Sequence, residues 1–296
     1  MPRIGDYTAI TSTQGTTSLA DADVFYVDGT GGSRKITAKE LAQSLFDKEP
    51  SNAAAVGVGY GKSGLYRGAN LGSGTTFANA STSTQRSAIS SGTFAGLFIG
   101  DYWTVNGVLY RIADFNYWKR SGDVDFNTNH IVLVPDANFG NDVMNDTNIT
   151  TGAYVGSKMY TDSSSVLNTA RTKIATDFGG YLASHKEYLL NTTTNGVQSA
   201  GAWYDSTVEL MNEPMVYGCF IRVKTLDGTH LPTIDKTQLA LFRLNPAMGN
   251  LRYNYWLRDV TSSTDFAAYG SNCNAGKLNA SSSLGVRPAF AVKGTA

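Results

Sequence analysis

Apolar positions crowd the chain from about Ser87 onward, and their spacing changes along it. Asp101-Tyr102-Trp103-Thr104-Val105 and Val108-Leu109-Tyr110-Arg111-Ile112-Ala113 are strand-like runs on either side of Asn106-Gly107. That dipeptide accepts positive φ at both central positions of a tight turn, which predicts a β-hairpin. Ile131-Val132-Leu133-Val134, stopped by Pro135, reads as a buried strand. Val166, Ala170, Ile174, Phe178 and Leu182 then recur every four residues, widened by Leu167 and Tyr181, and predict a helix. Asp162 or Ser163 is available as its N-cap, and Gly179-Gly180 ends or bends it. Thr207 to Met215 reads as weakly helical and Tyr217 to Val223 as strand-like. The remainder reads as short strands and long polar loops. Near the C-terminus, two more strand-like runs, Tyr253 to Val260 and Gly285 to Val292, bracket a polar segment from Thr261 to Ser283.

The N-terminal pattern is different. Asp23 to Asp28 is a short apolar run, Gly29-Thr30-Gly31-Gly32 supplies a turn, and Thr37-Ala38-Lys39-Glu40 matches a capping box. Leu41, Leu45 and Phe46 follow at helical spacing, and Pro50 closes the segment. So small a unit buries too little surface to stand alone and is expected to be held by partners or symmetry mates. Residues 49–85 are rich in Gly, Ala, Ser and Thr, so Ala53 to Gly64 and Gly72 to Ser83 read as extended connectors. The expected organisation is an α+β chain: an attachment or oligomerisation unit over 1–48, a linker or stalk over 49–85, and a globular domain over 86–296. No period suggests a propeller or solenoid.

Charge narrows the function. The 296 residues carry 24 Lys+Arg against 24 Asp+Glu, which excludes a general nucleic-acid binder or a polybasic membrane anchor. Only 16% of residues are charged; hydroxyls, amides and aromatics (4 Trp, 16 Tyr, 13 Phe) take their place, a composition suited to contact with sugars or proteins. No apolar run approaches the ~18 residues of a membrane span. The first residues lack the apolar core of a secretory signal, so synthesis in a cytoplasm without export is expected.

Catalytic signatures are missing. There is no Gly-x-Ser-x-Gly elbow, no phosphate loop and no dinucleotide fingerprint. His130, His185 and His230 lack metal-ligand spacing and read as structural. Glu187, Glu209 and Glu213 are the only glutamates after residue 50, which leaves little for the paired carboxylates of a glycosidase. Asp136, Asn138, Asn141, Asp142, Asn145 and Asp146 form an oxygen-rich segment able in principle to hold Ca²⁺, but its spacing is not that of an EF-hand and plain turns use the same residues. The expectation is an unmetallated, cofactor-free binding protein. Asn79, Asn145, Asn148, Asn191 and Asn279 head glycosylation sequons that mean little without export. Cys219 and Cys273 could pair, although free cysteines are usually small buried side chains and that reading is favoured.

Each C-terminal run carries an arginine among apolar residues, Arg258 and Arg287. Burying them requires carboxylate or carbonyl acceptors, so both are expected to lock the base of the loop between the runs. Trp256 is expected in the core, and the loop is the expected contact surface. Trp256-Leu257-Arg258 followed by Gly285-Val286-Arg287-Pro288-Ala289-Phe290 resembles a C-terminal signature of an uncharacterised domain family in phage and bacterial surface proteins. That family looks like a C-type-lectin-like fold, related to the variable proteins of diversity-generating retroelements and to the formylglycine-generating-enzyme scaffold. Ile99-Gly100-Asp101-Tyr102-Trp103, Arg111-Ile112-Ala113-Asp114-Phe115, His130 to Pro135 and Trp203-Tyr204-Asp205-Ser206 look like pieces of gut-phage structural proteins. Ala22 to Val27 and Lys35-Ile36-Thr37 resemble virion-attachment segments of phage fibres.

The resemblance implies a phage virion protein, a tail or head fibre or spike, trimeric, bound to other virion proteins at its N-terminus and to a host surface glycan or protein through its head. Contacts are expected from Tyr253, Tyr255, Asp259, Asp265, Tyr269, Asn272, Asn274 and Lys277. Calcium-dependent sugar binding is not carried over: Glu213-Pro214-Met215 lacks the Asn of the lectin motif, and there is no Trp-Asn-Asp. A decoration or baseplate protein whose head packs on other virion proteins is the alternative, with a polysaccharide hydrolase behind it.

Overall fold

The computed structural model describes residues 64–223 and 237–296, together with the backbone alone of two earlier strands, β1 (Val24–Val27) and β2 (Arg34–Thr37). These two pair antiparallel, Val24 opposite Thr37. The capped helix expected after them and the connector from Ala53 lie outside the described residues, as does His230.

Asn106 and Gly107 take φ of 48° and 80°, and the expected hairpin forms around them with Val105 opposite Val108. Its strands are β4 (Tyr102–Val105) and β5 (Val108–Phe115). The apolar run beyond them is β6 (His130–Pro135), buried throughout, and it pairs with β5. The C-terminal strand β16 (Pro288–Lys293) pairs with β6 and carries the short strands β8 (Leu182–Ala183) and β11 (Val208–Leu210). At the far edge β3 (Asn70–Gly74) runs parallel to β4. A second, five-stranded sheet has the order β14 (Ala275–Asn279), β13 (Asp265–Tyr269), β12 (Tyr255–Val260), β15 (Leu284–Gly285), β7 (Asn141–Asp142). The third sheet is a two-stranded ribbon, β9 (His185–Thr194) and β10 (Val197–Ser206), turned by a second Asn-Gly at Asn195-Gly196 with φ of 52° and 73°. With its few short helices the architecture is α+β. No helix among the described residues is long and apolar enough to cross a membrane.

Two cores result. The larger packs Phe77, Trp103, Tyr110, Phe178 and Phe290 edge-on or stacked at centroid distances of 4.9–5.5 Å. The smaller collects Leu167, Leu210, Trp256, Phe266 and Val286. Trp256 is fully buried, as expected, and its indole N–H donates to the Asp142 carbonyl at 2.9 Å.

Several expectations are corrected. Gly72 to Ser83 is not a connector. It contains part of β3 and the short helix α1 (Phe77–Ala80), and leads into α2 (Ser83–Ser91). Phe77 is completely buried. Gly72 is required there, because a Cβ would lie 2.2 Å from the Ala80 carbonyl oxygen. A capping box starts α2: the Thr82 hydroxyl accepts from Gln85 N, and Gln85 Oε1 accepts from Thr82 N. The described fold therefore extends well ahead of residue 86.

The long helix, after the short α3 (Lys158–Thr161), is α4 (Val166–Phe178), capped by Ser165 rather than Asp162 or Ser163. Gly179, at φ 52°, turns the chain away, so Tyr181 and Leu182 leave the helix and Leu182 joins the sheet. Thr207 to Met215 holds strand β11 and only the start of α5 (Glu213–Tyr217), and Tyr217 to Val223 forms no strand. The last helix is α6 (Ala240–Leu244).

Candidate recognition surface

The polar segment from Thr261 to Ser283 is mostly a hairpin rather than a loop. β13 pairs with β12 and with β14, placing Tyr269 opposite both Tyr255 and Ala275. Tyr255 and Tyr269 stack at 5.0 Å with planes 5° apart, and Tyr217 adds a third parallel ring at 5.5 Å from Tyr269. Burial pushes the Tyr255 hydroxyl up to about 12 and raises those of Tyr217 and Tyr269 as well. Two of the expected contacts are thus core residues: Tyr255 is fully buried and Tyr269 nearly so. Asp259 is a third, a buried carboxylate that accepts from Glu213 N at 2.6 Å.

Below this column lies Arg287, fully buried. Its Nε donates to the Pro135 carbonyl at 2.9 Å and its Nη1 to the Met248 carbonyl at 3.0 Å. The guanidinium sits 5.5 Å from the centroids of Phe242 and Tyr255. Arg258, also buried, donates to Glu187 and to the Leu210 carbonyl. Both arginines are buried and supplied with acceptors as expected, but those acceptors come from β9, β11, β6 and the turn at Met248 rather than from the hairpin.

What remains exposed gathers at the β13–β14 turn. Gly270 N donates to the Asn274 carbonyl, Cys273 N to the Gly270 carbonyl, and Ser271 N to Asn254 Oδ1 at 2.8 Å, which ties the turn to the segment carrying exposed Tyr253. On another side Tyr217 Oη donates to the Asn274 carbonyl and Arg222 Nε to the Ala275 carbonyl. Asn272, Asn274 and Lys277 are exposed, and Lys277 lies 3.5 Å from Asp265. Phe220 and Ile221, which no sequence pattern singled out, are exposed next to Arg222. They are presented by Glu213, whose buried carboxylate accepts from the backbone N–H groups of Ile221, Arg222 and Val223. Cys219 and Cys273 are exposed free thiols, against the expectation of burial.

Glu187, Glu209 and Glu213 are all buried and engaged inside the fold. Burial pushes Glu187 up, but Arg258 and His185 outweigh it and hold the carboxyl at about 2. Glu209 Oε2 accepts from both Tyr154 Oη and Arg171 Nη2 at 2.7 Å; burial nevertheless raises its pKa. In the oxygen-rich segment Asp136 binds Arg111, Asp142 accepts from Val143 N and Val166 N, and Asp146 pairs with Lys158. Asn145 Oδ1 accepts from Lys158 N. No three His, Cys, Asp or Glu side chains among the described residues are grouped to hold a metal. His130 and His185 are buried against Trp118 and Phe126.

The arrangement at the turn offers an aromatic ring, two primary amides, a paired ammonium and two exposed apolar side chains on a rigid base. Side chains of these kinds can make non-covalent contacts with sugars or proteins. Compared with known proteins, the chain matches no family model, no curated protein and no solved structure.

Proposed function

We propose that the chain is a bacteriophage virion protein, a tail or head fibre or spike, whose head has a C-type-lectin-like fold and contacts the host cell surface without catalysis. The observation that carries this reading is the turn at Ser271 to Asn274, with exposed Tyr253, Asn272, Asn274 and Lys277 standing over the buried tyrosine column and Arg287. A rigid base under polar, aromatic tips limits the side-chain entropy lost on contact. The committed state of Glu187, Glu209 and Glu213 favours binding over hydrolysis. In this reading residues 1–48 attach to the virion and the chain works as a homotrimer. Several heads per virion then turn weak single contacts into firm adsorption.

Phe220 and Ile221 favour a second reading, a decoration or baseplate protein whose head packs on another virion protein through this apolar pair. The test is binding of the full chain, side by side, to intact bacteria from a host panel and to purified virion parts. Cell binding that falls in a Tyr253→Ala, Asn272→Ala, Asn274→Ala variant with unaltered unfolding supports the adhesive reading. Binding to virion parts alone, lost in Phe220→Ser, Ile221→Ser, replaces it with the second.

A further inference from the structure

The β9–β10 ribbon carries a pair of rings that neither core uses. Of the four tryptophans, Trp103, Trp118 and Trp256 are buried; Trp203 is only half-buried. It lies opposite Tyr188 across the ribbon, and the two rings meet at 79° with centroids 5.4 Å apart. The edge-to-face contact leaves both residues part-exposed on the outer face of the ribbon. Tyr188 is pinned rather than free: its hydroxyl donates to the Gly201 carbonyl at 3.0 Å, and a Cβ on Gly201 would lie 2.6 Å from Tyr188 Cε1. Glycine at 201 lets the phenol lie across the strand. The Trp203 indole N–H, outside the buried interior, has no hydrogen-bond partner among the described residues.

One step along the same face stands a rim of charge. Lys186 lies opposite Asp205, its Nζ 3.0 Å from Asp205 Oδ1 and 3.9 Å from Asp123 Oδ1. Both carboxylates are well exposed, and the second oxygen of each has no partner among the described residues. Two carboxylates against one ammonium leave the rim acidic, which repels sulfated, phosphorylated or carboxylated ligands and favours a neutral one. Pinned rings, a free indole donor and spare carboxylate acceptors match a hexopyranose. Its axial C–H bonds lie on ring faces, and its neighbouring hydroxyls both donate and accept.

We propose that this face, centred on Trp203 and Tyr188 with Lys186, Asp123 and Asp205 at its rim, is a binding site for a neutral, β-linked, all-equatorial hexopyranose glycan. It shares no residue with the β13–β14 turn, goes beyond the adhesive reading of that turn, and does not depend on it.

The test is saturation-transfer NMR on the full chain with millimolar cellohexaose as probe and sulfated dextran as charged competitor. Transfer to the sugar C–H protons is expected in the wild type. Trp203→Ala should weaken it about tenfold, the size of one lost aromatic contact at its upper end. Trp203→Phe, which keeps a ring, should retain a measurable part of the signal and guards against misfolding of the ribbon. Asn272→Ala, Asn274→Ala should leave it unchanged, and sulfated dextran should not displace the sugar. No transfer in the wild type, or transfer that survives Trp203→Ala, overturns the site. Self-association of the chain that disappears in Trp203→Ala also overturns it, assigning the face to a second copy.

Discussion

His130 makes the chain sensitive to mild acid, and the size of the effect follows from its two hydrogen bonds. The ring is completely buried at the start of β6. Nδ1 is 2.9 Å from the Thr128 carbonyl, which only accepts, so Nδ1 carries the proton. Trp118 N–H, which only donates, is directed at Nε2 at 3.2 Å, so Nε2 must keep its lone pair. A second proton would have to displace that bond in a fully buried site. Burial therefore pulls the imidazole down to about 3, with His185 and Lys119 adding repulsion against the opposing pull of the Thr128 carbonyl. In the unfolded chain the same group titrates near 6.5. Between these values the unfolded state holds the extra proton, so stability is complete above about pH 6.5 and falls as acid is added. The loss is about 1.4 kcal/mol per pH unit, which is about 2 kcal/mol between pH 7 and pH 5 and about 4 kcal/mol by pH 3. Glu187, held at about 2, acts in the same direction only below its unfolded value near 4.5, whereas Glu209, raised by burial, acts in the opposite direction. Urea unfolding of wild type and His130→Gln at pH 7, 6 and 5 isolates His130 from the other titrating groups. The wild type should lose about 2 kcal/mol more than the variant across that window. Equal slopes in the two proteins would refute the assignment of His130 as a buried neutral ring.

Three further outcomes are expected. Phe77→Ala removes a ring packed on Trp103, Phe178 and Tyr181, and should cost about 3–5 kcal/mol in urea unfolding; a fragment starting at residue 86 should lose its cooperative transition. A connector at that position would tolerate both changes. Arg258→Met strands the Glu187 carboxylate and should cost about 3–5 kcal/mol, with partial recovery when Glu187→Gln is added. Both thiols should react with Ellman's reagent in the native protein, whereas buried cysteines would react only on unfolding.

Local patterns reached some elements and missed others for physical reasons. The turn at Asn106-Gly107 is dictated by backbone sterics within two residues, so it is readable at once. The same dipeptide at Asn195-Gly196 was equally readable, but its flanks are Thr-rich and half-exposed and do not present an apolar alternation. The four-residue repeat through Leu182 overran its helix, because periodicity is indifferent to the chain reversal that Gly179 imposes. In Val208-Glu209-Leu210 the strand is hidden by a buried carboxylate, acceptable only because Arg171 and Tyr154 arrive from other elements. Phe77 is the one large apolar residue between Gly72 and Ser83, so no local count reveals that the stretch is core. The capping box at Thr82 and Gln85 was the available sign.

At the site, the need for acceptors at Arg258 and Arg287 follows from composition alone, but the identity of those acceptors does not. Glu187 lies 71 residues from Arg258, and Pro135 lies 152 from Arg287. The same limit explains the misplaced contacts. Every position of β12 is buried, so the two-residue alternation that would separate inward from outward side chains is absent, and Tyr255 reads no differently from Tyr253. The neighbour across the strand makes the distinction. Tyr255 and Tyr269 face each other and are drawn inward as a stack over Arg287. Tyr188 and Trp203 also face each other, across β9 and β10, but stay part-exposed, with Gly201 letting the phenol lie across the strand. Strand register pairs rings in both places; the packing beneath the pair, with Arg287 against Tyr255, separates the core stack from the part-exposed one.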